Sequence, residues 1–395
     1  MQCLLFGFVI SLFTLIGCSE KTANVVIEEI DGVKHIHNIA PEWGDEVKIE
    51  LKYVGMLGED FTNDVNYEFY NPSTLLKDED GNIYVLDSGN FRIQKFAPDG
   101  KYIMSIGKEG EGPGELKDPA DMCFGLDGNI YVVDRDLARA QIFTKDGKSV
   151  NTFNISVNIS EIHRLRSGNF VLPYYQGYDD QRDINDLVTA ALIDKEGNVL
   201  KKFGQICIPD DLRLINYLNR VYLAETSAGE ILSACFSDNR IEKFSPDGDL
   251  LSVIDRELNY EIKSEIEMME VNIGGGNTVD MGIPRFTFVS TGLETDGSDR
   301  LWLSTMKEQP EPEDVRVSIR MDNESEARTL DQGEGKEEDI PFEEQFYFEI
   351  FSPDGVLLGT IPPPREFVFF KIIDDSMYLF DQQEMVIHEY RITEK

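Results

Sequence analysis

The chain says nearly the same thing twice. Asp80-Gly-Asn-Ile-Tyr-Val-Leu-Asp87 returns as Asp127-Gly-Asn-Ile-Tyr-Val-Val-Asp134, each time followed by an Arg-containing apolar run and an Asp-Gly pair. A repeat of this length, made of short β runs and tight turns, cannot bury its apolar faces alone. Stacking such units around an axis gives a β-propeller with one four-stranded blade per repeat. The runs Ile83-Tyr-Val-Leu86 and Ile130-Tyr-Val-Val133 are apolar at successive positions, as strands covered on both faces must be.

Turns count the blades. Strands a to d of a blade run outward from the axis, so a–b and c–d turns share one face of the disc, while b–c turns and d–a crossovers share the other. Pairs of the c–d kind stand at Asp99-Gly100, Asp146-Gly147, Glu196-Gly197, Asp247-Gly248 and Asp354-Gly355. Those of the a–b kind stand at Asp80-Gly81, Asp127-Gly128, Ser167-Gly168, Ala228-Gly229, Asp296-Gly297 and Asp374-Asp375. Asp-Gly between apolar runs is read as a two-residue hairpin turn with positive φ open to both central residues. The count predicts an all-β, six-bladed β-propeller of four-stranded antiparallel blades. The sixth blade runs out after three strands, and Val47–Val54, whose apolar positions alternate, is expected to join it as the fourth. Closing the ring with an N-terminal strand removes the free edges of an open array.

Residues 1–17 carry no charge, and their apolar run from Leu4 to Ile16 is too short to span a bilayer. They read as an export signal. Leu15-Ile-Gly-Cys18 resembles a bacterial lipobox, which implies lipidation of Cys18 and attachment to a membrane without crossing it. Residues 18–45 then form a tether and 46–395 the propeller, with insertions at about 256–284 and 307–344. Lys plus Arg number 37 against 74 for Asp plus Glu, a net charge of −37. That field repels phosphate and excludes nucleic acid as a general partner. Cys123, Cys207 and Cys235 cannot all pair, so no disulfide framework is expected.

The block from Asp80 through Asn90-Phe-Arg-Ile-Gln-Lys-Phe96, Asp99-Gly100, Gly107 and Gly110-Glu-Gly-Pro-Gly-Glu-Leu116 to Pro119 resembles the NHL repeat. With the lipobox and the blade count, the whole chain looks like the six-bladed β-propeller lipoproteins of Gram-negative bacteria. The resemblance implies a cell-envelope location. The single acid and base of Ser19-Glu-Lys-Thr22, unlike the acidic cluster of surface-exported relatives, point to the periplasmic side. NHL-type propellers include protein-binding scaffolds, sensor modules and a few enzymes, so the resemblance bears on fold more than on activity.

All the long insertions fall on the face of the b–c loops and crossovers, which makes that loop-rich face the expected binding side. Tyr174, Tyr175 and Tyr178 with Arg182 and Arg285 are the candidate ligand-binding residues. Aromatic faces beside a guanidinium suit a glycan, a peptide or an anionic small molecule. Asp87, Asp134 and Asp381 end b strands and Arg92, Arg139 and Arg240 begin c strands; both sets read as scaffold. No local catalytic or metal-binding motif is present among His35, His37, His163, His388 and the rest. The leading expectation is therefore a membrane-anchored scaffold that binds a protein, peptide or glycan through the loop-rich face, with no cofactor. The alternative is a lactone hydrolase or lyase with a divalent metal in the central channel. Channel-facing Asp, Glu, Asn or His would favour the enzyme, and a channel of apolar and small residues the scaffold.

Overall fold

The computed structural model describes residues 20–21, 24–58, 64–155, 160–174, 184–274, 277–309 and 345–395. Six antiparallel sheets surround one axis. Blade one consists of Pro72–Lys77, Ile83–Asp87, Arg92–Phe96 and Tyr102–Ile106, strands a to d in chain order. Blades two to five repeat that order over 119–154, 163–203, 221–256 and 290–361. Blade six takes Phe370–Ile373, Ser376–Asp381 and Val386–Glu394 from the end of the chain and Ile49–Leu57 from its beginning. The closing pair is antiparallel, running from Ile387 opposite Leu57 to Glu394 opposite Ile49. Closure is as expected, with the strand extending three residues beyond Val54.

The hairpin turns differ from the expectation in one respect. In Asp99-Gly100 only the glycine takes positive φ, +79°. Gly100 N–H donates to the Ala97 carbonyl (2.9 Å), Ala97 N–H to that of Lys101 (2.8 Å), and the pairing shifts between Lys95 and Phe96. These are three-residue loops, a type I turn followed by a left-handed glycine with its bulge, rather than two-residue turns. The acidic residues serve as acceptors: Asp78 Oδ1 takes the N–H groups of Asp80 (3.1 Å) and Asn82 (2.8 Å).

Packing lies in the seams. Each of the six interfaces between neighbouring blades holds its own apolar cluster, such as Tyr131 against Phe170 at 4.7 Å between blades two and three. One position of strand c departs from this apolar rule. Paired with the middle of strand b, it carries Gln94, Gln141, Ala191, Glu242, Glu349 and His388 in blades one to six, all buried. Three of its polar members hold connecting backbone. Gln94 Nε2 donates to the Asn66 carbonyl (3.0 Å), Gln141 Oε1 accepts from Gly114 N–H (2.8 Å) and Glu242 Oε2 from Gln205 N–H (3.2 Å).

Burial pushes the Glu242 carboxyl above the usual range, against the pull of Arg240 and of that amide. A raised carboxyl means that the folded state resists ionisation. The penalty sets in as pH rises through the unfolded carboxylate range near 4.3 and persists above the folded value. Glu242→Gln, which copies blades one and two, should therefore raise the melting temperature at neutral pH by on the order of 1–3 °C. The gain should vanish below about pH 4, and calorimetry at both pH values checks it.

The described part of the stretch read as a tether packs against the propeller. Val25–Ile30 and Val33–Asn38 form a hairpin whose second strand lies parallel to Leu250–Arg256, widening blade four beyond its four strands. Val25 and Ile36 join the cluster between blades four and five. Asn38 locks the hairpin there: Nδ2 donates to the carbonyls of Asp255 (3.0 Å) and Gly355 (3.1 Å), and Oδ1 accepts from Leu357 N–H (2.8 Å). The chain then bonds Leu357 and Leu358 through the N–H groups of Glu42 and Trp43 on its way to blade six. The 256–284 insertion carries a second hairpin, Ser264–Gly274 with Asn277–Phe286. Most of the 307–344 insertion lies outside the described residues. Among the described residues no helix is long and apolar enough to cross a membrane.

Candidate functional site

Strand a of every blade starts at the loop-rich face and lines the axis, so alternate residues on it face the channel. Register then sorts these residues into two rings. The outer ring, nearest the loop-rich mouth, is Thr74, Asp121, Glu161, Tyr222, Gly292 and Phe369 in blades one to six. Two residues further along stand Leu76, Cys123, His163, Ala224, Glu294 and Lys371. A cavity of about 470 Å³ at this mouth is lined by the whole outer ring and by His163, Glu294 and Lys371 of the deeper one. Its size lies within the roughly 300–1,000 Å³ of ordinary small-molecule sites.

The charged groups of the cavity come from five blades, two to six. Lys371 Nζ meets Glu294 Oε1 at 2.7 Å, with 21 % and 14 % of the two side chains still exposed to the cavity. His163 Nε2 lies 3.3 Å from Glu161 Oε2, which also accepts from Leu223 N–H at 3.4 Å. Asp121 Oδ2 accepts from Ile162 N–H at 2.8 Å. Burial pushes the Asp121 carboxyl up, against the pull of His163 and Lys371. Glu294 is raised by burial as well, with Lys371 pulling the other way. Burial by itself would lower the Lys371 ammonium, but Glu294, Asp121 and Glu161 outweigh it and hold the group above its ordinary value. The cavity therefore offers protonatable acids, a fixed cation and an imidazole within one small volume. Such a set can hydrogen-bond a polar ligand and move protons on it.

The residues singled out from the sequence fall elsewhere. Tyr174 is buried in the seam between blades two and three, with Lys202 Nζ 4.5 Å from its ring centroid, and does not line the cavity. Arg285 stands on the projecting hairpin, its Nε 2.8 Å from Glu267 Oε2, also away from the cavity. Tyr175, Tyr178, Arg182 and Cys18 lie outside the described residues. The expected face is nevertheless the one that opens onto the cavity. Counting supplies the signal that names the outer ring: Thr74, Asp121, Glu161 and Tyr222 each stand six residues before the first turn residue of Asp80-Gly81, Asp127-Gly128, Ser167-Gly168 and Ala228-Gly229. The rule slips in blade five, where the positive φ of the a–b turn falls on Asp299 instead of Gly297, and in blade six, where Asp374 and Asp375 make a shorter turn.

The b-strand aspartates and c-strand arginines are scaffold, as read. Asp87 accepts from Tyr70 N–H (2.7 Å) and Arg92 Nε (2.9 Å), and Asp134 accepts from Asp118 N–H (2.9 Å) and Arg139 Nη2 (3.1 Å). Arg240 Nη2 donates to the Gln205 carbonyl (2.8 Å). In blade six the arginine comes from the crossover, as Arg365. Asp381, Glu384 and His388 form the one group with metal-ligand spacing among the described residues. Arg365 Nη1 already stands among them, 3.1 Å from Asp381, 2.9 Å from Glu384 and against His388 Nε2. The charge these groups face is a guanidinium. Cys123, Cys207 and Cys235 are free thiols, two of them buried.

A family model described as a six-bladed beta-propeller, DUF5128, matches residues 64–241. Among curated proteins nothing matches. Two solved structures share the fold. A Bacteroides fragilis protein described as exported is 11 % identical, with a TM-score of 0.54 over 91 % of this chain and 99 % of that one. A DUF4221 family member from Bacteroides vulgatus is 10 % identical, with a TM-score of 0.55 over 88 % and 99 %. A virginiamycin B lyase from Staphylococcus aureus covers 93 % of this chain and 88 % of its own at 10 % identity and a TM-score of 0.46. At these identities the first two likenesses are of fold alone and assign no chemistry.

Proposed function

We propose that this propeller binds a small polar ligand, of glycan or short-peptide character, in the channel mouth on its loop-rich face. The observation that carries the reading is the convergence of Asp121, Glu161, His163, Glu294 and Lys371 on one cavity. An apolar anchor pocket for a folded partner lacks such groups, whereas hydroxyl and amide ligands require them. Through lipid on Cys18 the protein would present this mouth at a membrane of the cell envelope.

A second reading, enzymatic, draws on the same cavity, and the channel-facing Asp121, Glu161, His163 and Glu294 meet the criterion set for it from the sequence. It is favoured by the imidazole of His163 beside Glu161 and by the raised carboxyls of Asp121 and Glu294, which suit general acid–base work on a bound lactone or glycoside. It needs no metal triad.

Saturation-transfer NMR of the mature chain against neutral mono- and disaccharides and di- and tripeptides tests the first reading. Asp121→Asn and Glu161→Gln should each weaken the hits about tenfold or more, as loss of a hydrogen bond to a charged group does. Asp99→Ala, on the opposite face, should change stability alone. Undiminished binding in both cavity variants sinks the channel reading. Turnover of a bound lactone or glycoside that His163→Ala abolishes promotes the enzyme.

A further inference from the structure

Each basic group in the cavity has a carboxylate of its own, with one exception. Lys371 pairs with Glu294 (2.7 Å), His163 with Glu161 (3.3 Å), and Arg135 is held in a fork by Asp118 (2.8 and 2.9 Å). Arg220, which lines the same cavity just ahead of strand a of blade four, has no ion pair among the described residues. Rings hold it instead: its guanidinium carbon lies 5.4 Å from the Tyr222 centroid and 5.7 Å from that of Phe236. In a chain with 74 acids to 37 bases, an exposed arginine can find a carboxylate almost anywhere. Stacking over aromatic faces fixes the guanidinium plane while leaving its N–H donors open. Tyr222 stands beside it in the outer ring, and burial pushes its phenol up to about 12, so it remains an O–H donor at neutral pH.

We infer that Arg220 is the anchor for a carboxylate on the ligand, and that the cavity takes a sugar acid. The inference rests on the channel reading above and narrows it. A guanidinium fork matches a carboxylate in a bidentate fashion. One uncompensated cation among Asp121, Glu161 and Glu294 suits a monoanion and not a doubly charged phosphate. Those same carboxylates accept hydrogen bonds from hydroxyls, so the remainder of the ligand is hydroxylated. Phe369 and Tyr222 supply ring faces for its apolar side.

The test is titration calorimetry of the mature chain with galacturonate and glucuronate, each against its neutral counterpart, galactose or glucose. The acids should bind at least about tenfold more tightly. Arg220→Ala should weaken the acids by about ten- to hundredfold and leave the neutral sugars unchanged. Arg220→Lys, which keeps the charge but loses the fork, should recover part of the loss. An unchanged melting temperature shows that the exposed side chain was not needed for folding. Equal binding of acid and neutral sugar, still sensitive to Asp121→Asn, overturns the carboxylate anchor and leaves the channel reading intact. Acid preference that survives Arg220→Ala overturns the assignment to Arg220. No binding of any of the four overturns the sugar-acid inference, while the saccharide and peptide screen decides the channel reading independently.

Discussion

Replacing Arg256 with alanine is expected to cost about 3–5 kcal/mol, a large share of the roughly 5–15 kcal/mol that holds a folded chain together. Arg256 ends strand d of blade four, and its Nε meets Glu349 Oε2, on strand c of blade five, at 2.7 Å. The two side chains are 0 % and 2 % exposed. Ser290 Oγ (3.3 Å), Thr305 Oγ1 (3.4 Å) and the Asn239 carbonyl take the other guanidinium N–H groups, and Thr305 donates to Glu349 at 2.6 Å. Removing the arginine leaves Glu349 charged, buried and short of its principal partner. That desolvation penalty, more than the lost attraction, sets the cost. The double variant Arg256→Met with Glu349→Leu removes both charges and should recover most of the loss. Urea unfolding of the single and double variants measures it. A single variant within about 1 kcal/mol of wild type would show that water reaches the seam and that the pair is not buried in solution.

A chain beginning at Asn71 should lose cooperative folding, or melt far below the mature protein. The deletion removes Ile49–Leu57 from blade six and the hairpin 25–38 from blade four, and with them the buried side chains of Ile36, Ile49 and Leu57. It exposes strand edges on two blades at once and breaks the bonds of Asn38 to blade five. A chain beginning at Asp45 keeps the closing strand and loses the hairpin alone, so its loss should be smaller. Calorimetry of the three chains ranks the two contributions. If the Asn71 chain melts like the mature protein, ring closure contributes nothing.

Repeats made the fold legible, because local signals sufficed: Asp-Gly pairs mark turns, apolar runs mark strands, and their alternation counts blades. The closing strand could be read from what blade six lacked. The blade-four hairpin could not. Val33–Asn38 pairs in parallel with a strand more than half the chain away, and no turn or periodicity announces such a partner. The site was half legible. The sorting of turns picked the mouth at which the cavity opens, but the weight given to Tyr174, Tyr175, Tyr178, Arg182 and Arg285 followed loop composition, whereas the cavity is lined by the regular inner strands. Asp121, Glu161 and Tyr222 look unremarked in sequence because each sits in a different repeat; only register brings them together. The polar position of strand c was hidden likewise, since Gln94 reads as an ordinary exposed residue between Ile93 and Lys95 until the crossover packs over it.

The N-terminal strap also sets an order of events. Asn38 is bonded to Leu357, 319 residues later, and Glu50 to Thr393, 343 residues later. The closing strand Ile49–Leu57 is thus the last to find its partner, whereas the hairpin 25–38 pairs with itself and can dock once blade four is made. Contacts of such sequence separation slow folding steeply. Until the final turn of the ring arrives, the waiting strand presents open edges of the kind that pair wrongly with other chains. Refolding should then show an early phase in which the middle blades form and a late one limited by the meeting of the two ends, and it is in that interval that the protein is most exposed to aggregation.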